Sequence, residues 1–116
     1  MLTGNTAMPT FTDFEQLDIR SGTIIDVQDF PEARNPAYKL WIDFGALGIK
    51  KSSAQITKLY SQEELKGKQI IAVVNFPPRQ IATFISEVLV LGVYGNDKEV
   101  ILLRADRNVE NGSKIG

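Results

Sequence analysis

Apolar and polar residues alternate with a period of two over several short stretches of this chain, each bounded by proline, glycine or asparagine. That pattern marks half-buried strands joined by turns. In residues 20–30, Ile25 and Val27 fall on one face and Asp26 and Gln28 on the other. Residues 31–36 carry Pro31, Asn35 and Pro36, which is turn chemistry. Residues 38–44 alternate again, with Leu40, Ile42 and Phe44 against Lys39, Trp41 and Asp43. Gly45 and Gly48 bracket a hairpin connection, and residues 49–55 return as a third strand. Residues 70–76 are apolar on both faces, as in a central strand, and Pro77 and Pro78 end them. Residues 86–94 read as another strand, doubly apolar from Val88 onward. Gly95, Asn96 and Asp97 then turn the chain, residues 100–104 form the last clear strand, and Asn111-Gly112 marks a late turn.

Two segments carry helix-start signals instead. Thr12 and Glu15 have capping-box spacing before a short helical turn that runs to Leu17. Ser61 and Glu64 repeat the spacing, with Gly67 placed as a stop, so a helix is expected over residues 61–66. Residues 1–10 are small and polar, and read as a flexible leader before a single domain at 11–116. Three strands, a helix, then further strands is the order of an OB-fold: an all-β, five-stranded Greek-key barrel with short helices.

Composition narrows the function. Cysteine and histidine are both absent from the 116 residues. A Cys/His zinc site, a thiol nucleophile and an imidazole base are therefore excluded. No pair of carboxylates has a spacing that favours acid–base chemistry, so no catalytic or metal site is expected, and no cofactor. The net charge of -1 argues against a strongly basic nucleic-acid binder, yet charge clustered on one face matters more than the sum. No apolar run approaches the ~20 residues of a membrane span, and the first residues lack the basic start and long apolar stretch of a signal peptide. A cytoplasmic location without membrane insertion is the expectation.

Several segments resemble a known family. They begin at Leu17-Asp18-Ile19-Arg20-Ser21-Gly22-Thr23-Ile24 and continue through Pro31-Glu32-Ala33, Lys39-Leu40, Asp43-Phe44-Gly45 and Lys68-Gln69-Ile70. The resemblance is strongest at Val74-Asn75-Phe76-Pro77-Pro78-Arg79 and Ser86-Glu87-Val88-Leu89-Val90-Leu91-Gly92, and it closes at Asn111-Gly112-Ser113-Lys114-Ile115-Gly116. These runs are similar to the tRNA-binding domain family, whose members are also appended to some methionyl-tRNA synthetases and inserted in the phenylalanyl-tRNA synthetase beta chain. Ser52-Ser53-Ala54-Gln55-Ile56-Thr57-Lys58 and Asn75-Phe76-Pro77-Pro78-Arg79 look like the stand-alone CsaA type of secretion chaperone. One departure from the wider family stands out. Ser86-Glu87-Val88-Leu89 replaces the Gly-Met that many members carry soon after this serine. A close backbone approach that glycine would allow is then not available.

The candidate site residues each have two readings. Arg79 follows a Pro-Pro turn, so its planar fork is either a directed phosphate clamp or a solvated arginine. Asn75 either presents its amide to a ligand or holds the next turn. Ser86 is either a ligand contact or the start of a strand. Arg34, Lys39, Lys50, Lys51 and Lys58 come from the first half of the barrel. As a set they would line a groove that follows a nucleic-acid backbone, and singly they are solubility charge. Tyr38, Trp41 and Phe44 can stack on bases or hold apolar side chains. Phe44 shares a face with the core residues, whereas Trp41 lies with Lys39 and Asp43.

Two function classes follow. The resemblance implies an export-related chaperone, not an enzyme, that binds unfolded preproteins, has tRNA-binding capacity and contacts the export machinery. The alternative is a stand-alone protein that recognises tRNA by its structure. Residues 70–76 and 88–93 are apolar on both faces. Their outward halves need cover from the helix near Ser61, from the turn at residues 11–17, or from a second subunit. A homodimer is the expectation, and the resemblance implies the same.

Overall fold

The computed structural model describes residues 8–116. The expected leader therefore lies, for residues 1–7, outside the described residues. Helix α1 spans Phe11–Glu15 and begins two residues earlier than the Thr12/Glu15 spacing suggests. Thr10 is the cap: its Oγ1 accepts from the Asp13 N–H at 3.2 Å, and the Asp13 carboxylate accepts from the Thr10 N–H at 2.8 Å. Asp13 closes the capping box from the third helical position, so Thr12 is left inside the helix.

Strands β1 (Ile19–Asp29), β2 (Tyr38–Asp43) and β3 (Ile49–Ala54) form an antiparallel meander. A 3-10 turn at Gly45–Leu47 joins β2 to β3. Helix α2 (Gln62–Leu65) follows, capped reciprocally by Ser61 and Glu64, and Gly67 ends it at φ +86°. Strand β4 (Gln69–Val73) then pairs with β1, and the short β7 (Leu89–Val90) pairs with β4. The sheet order is β3-β2-β1-β4-β7. Together these five antiparallel strands curl into a nearly closed, OB-like barrel, as the strand order predicts.

Ile24, Leu40, Ile42, Phe44 and Ile70 fill the barrel and are fully buried. Leu65 of α2 joins the same cluster. Gly22 leaves room for this packing, because a Cβ there would sit 2.7 Å from the Phe44 ring. The face assignment of β1 needs correction. A bulge lies between Ile24 and Asp26, so Ile24 and Val27 face the core while Ile25 is 45% exposed. One extra residue reverses the parity on which strict alternation relies.

The expected strand over residues 86–94 is also divided. Its start belongs to a hairpin of β5 (Arg79–Ile81) and β6 (Phe84–Ser86). Its middle is β7, and its end is β8 (Gly92–Tyr94), which pairs with β9 (Val100–Leu102) in a separate ribbon. The outward side of β4 is covered within the chain: Ile71 and Val73 are buried beside Ile19 and pack on Leu17 and Leu91. No described residue covers the outer face of the β8–β9 ribbon, where Val93 and Ile101, opposite each other, are 50% and 42% exposed. The C-terminal segment returns along β1, where the Ile115 N–H donates to the Ile19 carbonyl and Arg20 to the Gly112 carbonyl.

The barrel closes between β3 and residues 86–88. Ser52, fully buried, donates its hydroxyl to the Val88 carbonyl at 3.0 Å. Removing that donor strands a carbonyl in an apolar setting, which costs about 1–3 kcal/mol. Ser52→Ala should therefore lower the urea midpoint by a corresponding amount with an unchanged slope. An unaltered midpoint would show that closure does not depend on this bond.

Candidate functional site

Strict alternation puts Lys39 and Trp41 on the outer face of β2, opposite Ser53 and Lys51 of β3. The β5–β6 hairpin lies against this face. Arg79 pairs with Ser86 and Ile81 with Phe84, so these four share the hairpin side turned to the barrel. Gln80 and Ile85 point the other way and are exposed. Phe84 is buried between the strands and the Phe30–Ala37 connection. Its ring meets Trp41 edge-on at 5.9 Å and Phe30 at 5.5 Å between centroids.

Two ammonium groups approach this cluster. Lys39 Nζ lies 5.0 Å from the Phe30 centroid and 5.5 Å from that of Phe84, and Lys51 Nζ lies 5.3 Å from Phe84. Both are within cation–π reach. Neither pairs with a carboxylate among the described residues. The geometry leaves both charges able to take an anion.

Beside this cluster, along the same side of the hairpin, runs a groove. One cavity of about 280 Å³ is lined by Ser53, Phe76, Arg79, Ile81, Glu87 and Leu89, among others. A second, of about 420 Å³, shares Ser53, Arg79, Ile81 and Leu89 and continues to Gln55, Tyr94 and Lys98. Phe76 and Leu89 are 43% and 46% exposed, so the groove offers apolar surface beside charge.

A profile of the family described as "Putative tRNA binding domain" matches residues 19–114. The chain belongs to that family. The methionine–tRNA ligase of Nanoarchaeum equitans (strain Kin4-M) is 38% identical over 108 residues, which cover 91% of this chain and 13% of the ligase. A ligase of Bacteroides fragilis is similar at 34% identity over 90% of this chain and 15% of its own length, so the chain spans a small part of such curated relatives. The crystal structure of the chaperone CsaA from Bacillus anthracis str. Ames superposes with a TM-score of 0.90 at 55% identity, covering 95% of this chain and 100% of that one.

The structure divides the residues that the sequence grouped. Lys39, Trp41 and Lys51 come together around Phe84. Lys50 has the opposite parity, opposite Ile42, and does not join them. Lys58 donates to the Asp97 carbonyl at 3.4 Å, and Arg34 is exposed in the β1–β2 turn. Asn75 ties β4 to the chain before β1: its Oδ1 accepts from the Asp18 N–H and its Nδ2 donates to the Gln16 carbonyl, each at 2.9 Å. Ser86 Oγ accepts from the Ser53 N–H at 3.0 Å. Arg79 stands in the groove wall.

Sequence reasoning missed Phe84 and Glu87. Reading Ala82-Thr83 as a two-residue turn would have found the hairpin, but Ala82 has φ 54°, where glycine or asparagine is the usual signal. Phe84→Ala should cost about 3–5 kcal/mol and shift Trp41 fluorescence to the red as water reaches the indole. An unshifted spectrum would place Trp41 outside this cluster.

Proposed function

We propose that this chain is an export-related chaperone of the CsaA type, which binds unfolded preproteins and also binds tRNA. The observation that carries the reading is the groove beside Arg79. Its apolar residues Phe76 and Leu89 stay exposed on a rigid barrel, with Arg79 and Glu87 at the rim. Exposed apolar surface rimmed by charge suits segments that a folded protein would bury. Support also comes from the CsaA structures of Bacillus anthracis and Picrophilus torridus, at 55% and 58% identity. The tRNA capacity draws on family membership and on the unpaired Lys39 and Lys51. A cytoplasmic location and contact with the export machinery belong to the same reading.

The second reading, a stand-alone structure-specific tRNA-binding protein, is favoured by the Lys39/Lys51 pair alone. Salt separates the two. Phosphate contacts weaken steeply with salt, and apolar contacts do not. Mixed tRNA and an unfolded export precursor should both bind at low salt, with only the precursor retained at high salt. Arg79→Ala should weaken tRNA binding and reduce its salt slope by about one unit, as expected for one phosphate contact. Failure to hold the precursor at any salt would leave the tRNA reading.

The working unit in this reading is a homodimer. The β8–β9 ribbon supports it, because Val93 and Ile101 expose an apolar face that no described residue covers. A closed two-fold contact is the commonest way to cover such a face. Sedimentation equilibrium at micromolar concentration should give twice the 12.9 kDa chain mass. A mass of one chain would refute the dimer.

A further inference from the structure

The edge of β3 that runs along the groove is held by side chains rather than by a neighbouring strand. The Lys51 N–H donates to Glu87 Oε1 at 2.9 Å, and the Ser53 N–H to Ser86 Oγ at 3.0 Å. One backbone bond accompanies them, from the Glu87 N–H to the Lys51 carbonyl. A strand turns alternate peptide groups to the same edge, so Lys51 and Ser53 share it, and Gln55, one residue beyond the end of β3, continues the alternation. At Gln55 the support stops. Its N–H and C=O make no hydrogen bond among the described residues, and the residue lies in the groove. An exposed backbone edge is a template for another strand.

The charges in the groove point to what that strand carries. Arg79 and Lys98 both line it, and neither pairs with a carboxylate among the described residues. Glu87, the carboxylate of the adjoining cavity, is already engaged by the Lys51 N–H. A ligand that brings its own carboxylate complements this groove, and one that brings an ammonium does not.

We propose that an extended peptide pairs with the unpaired backbone of Gln55, where the bonded edge of β3 ends, with apolar side chains against Leu89 and an acidic side chain on Arg79. The proposal rests on the chaperone reading and names its mode. Main-chain hydrogen bonds supply affinity that any unfolded segment can use, and the arginine supplies a preference. Such a mode suits a protein that must take many sequences, because the peptide backbone is what they have in common.

The test uses the full chain and a short synthetic peptide that alternates valine and threonine around a central glutamate. Three relatives accompany it: one with lysine for the glutamate, and two N-methylated on one or the other alternate set of residues. Calorimetry should show the glutamate peptide binding about tenfold more tightly than its lysine relative, a preference that Arg79→Ala abolishes. One methylated peptide should lose about tenfold or more, since its N–H groups can no longer join the edge, while the other binds as the parent does. Amide exchange at Gln55 should slow in the complex. Equal binding by both methylated peptides, with Gln55 exchange unchanged, would overturn strand addition and leave the chaperone reading standing. No binding by any of the peptides, together with no binding of the unfolded precursor, would overturn both.

Discussion

Closing the barrel without a continuous ladder is the constraint on which the rest of this structure depends. The five-stranded sheet has two edges, β3 and β7, and they meet over only a few residues. Ser52 carries the closure on the inside, through its buried hydroxyl on the Val88 carbonyl. Ser86 and Glu87 carry it on the outside, by accepting from the Ser53 and Lys51 N–H groups. Each of these polar groups would be costly if left unpaired. In the described residues no buried side-chain nitrogen or oxygen lacks a partner, so the seam is satisfied although it is not a regular ladder. A seam of this kind stops at Ser53, and beyond it the Gln55 backbone has no hydrogen bond among the described residues.

The seam also decides where the β5–β6 hairpin goes. Ser86 ends the hairpin and bonds to β3, which draws Phe84 down onto Trp41 and Phe30. In an OB-fold the second and third strands form the usual ligand face. Here that face is partly roofed by the protein's own aromatic ring, with Lys39 and Lys51 set around it. The hairpin accepts Ala82 at φ 54°, a conformation that costs a residue with a Cβ roughly 1–2 kcal/mol. The aromatic and seam contacts at its base outweigh that cost, since burying one large aromatic side chain contributes about 1.5–3 kcal/mol or more.

Much of this was legible in the sequence, and the failures have physical causes. The meander β1–β3, the α2 capping box and the Gly67 stop follow from alternation and local chemistry. The inward placement of Leu40, Ile42 and Phe44 does too. The bulge at Ile25 was hidden because nothing in its local composition differs from a regular strand. The hairpin was hidden because an alanine occupies its left-handed position. Residues 86–94 look continuous by hydrophobicity, and only tertiary pairing divides them among three partners. The lysine set was mixed for a simpler reason: Lys50 and Lys51 are neighbours in sequence, and a strand sends neighbours to opposite faces. Ser86 and Asn75, read as either ligand contacts or structural groups, make hydrogen bonds within the fold through those same side chains.

One side of the hairpin serves two neighbouring patches of different chemistry. Phe84 faces the lysines, and on the same hairpin Arg79 and Ile81 line the groove. A polyanion drawn to Lys39 and Lys51 gains most from charge, and its hold fades as salt rises. A segment seated in the groove gains from apolar contact and backbone pairing, which salt leaves largely intact. Both would touch the one hairpin, anchored at Ser86 and strained at Ala82. On the proposed function Arg79 serves both, as a phosphate contact and as a cation of the groove, so the two ligand classes would compete for one side chain.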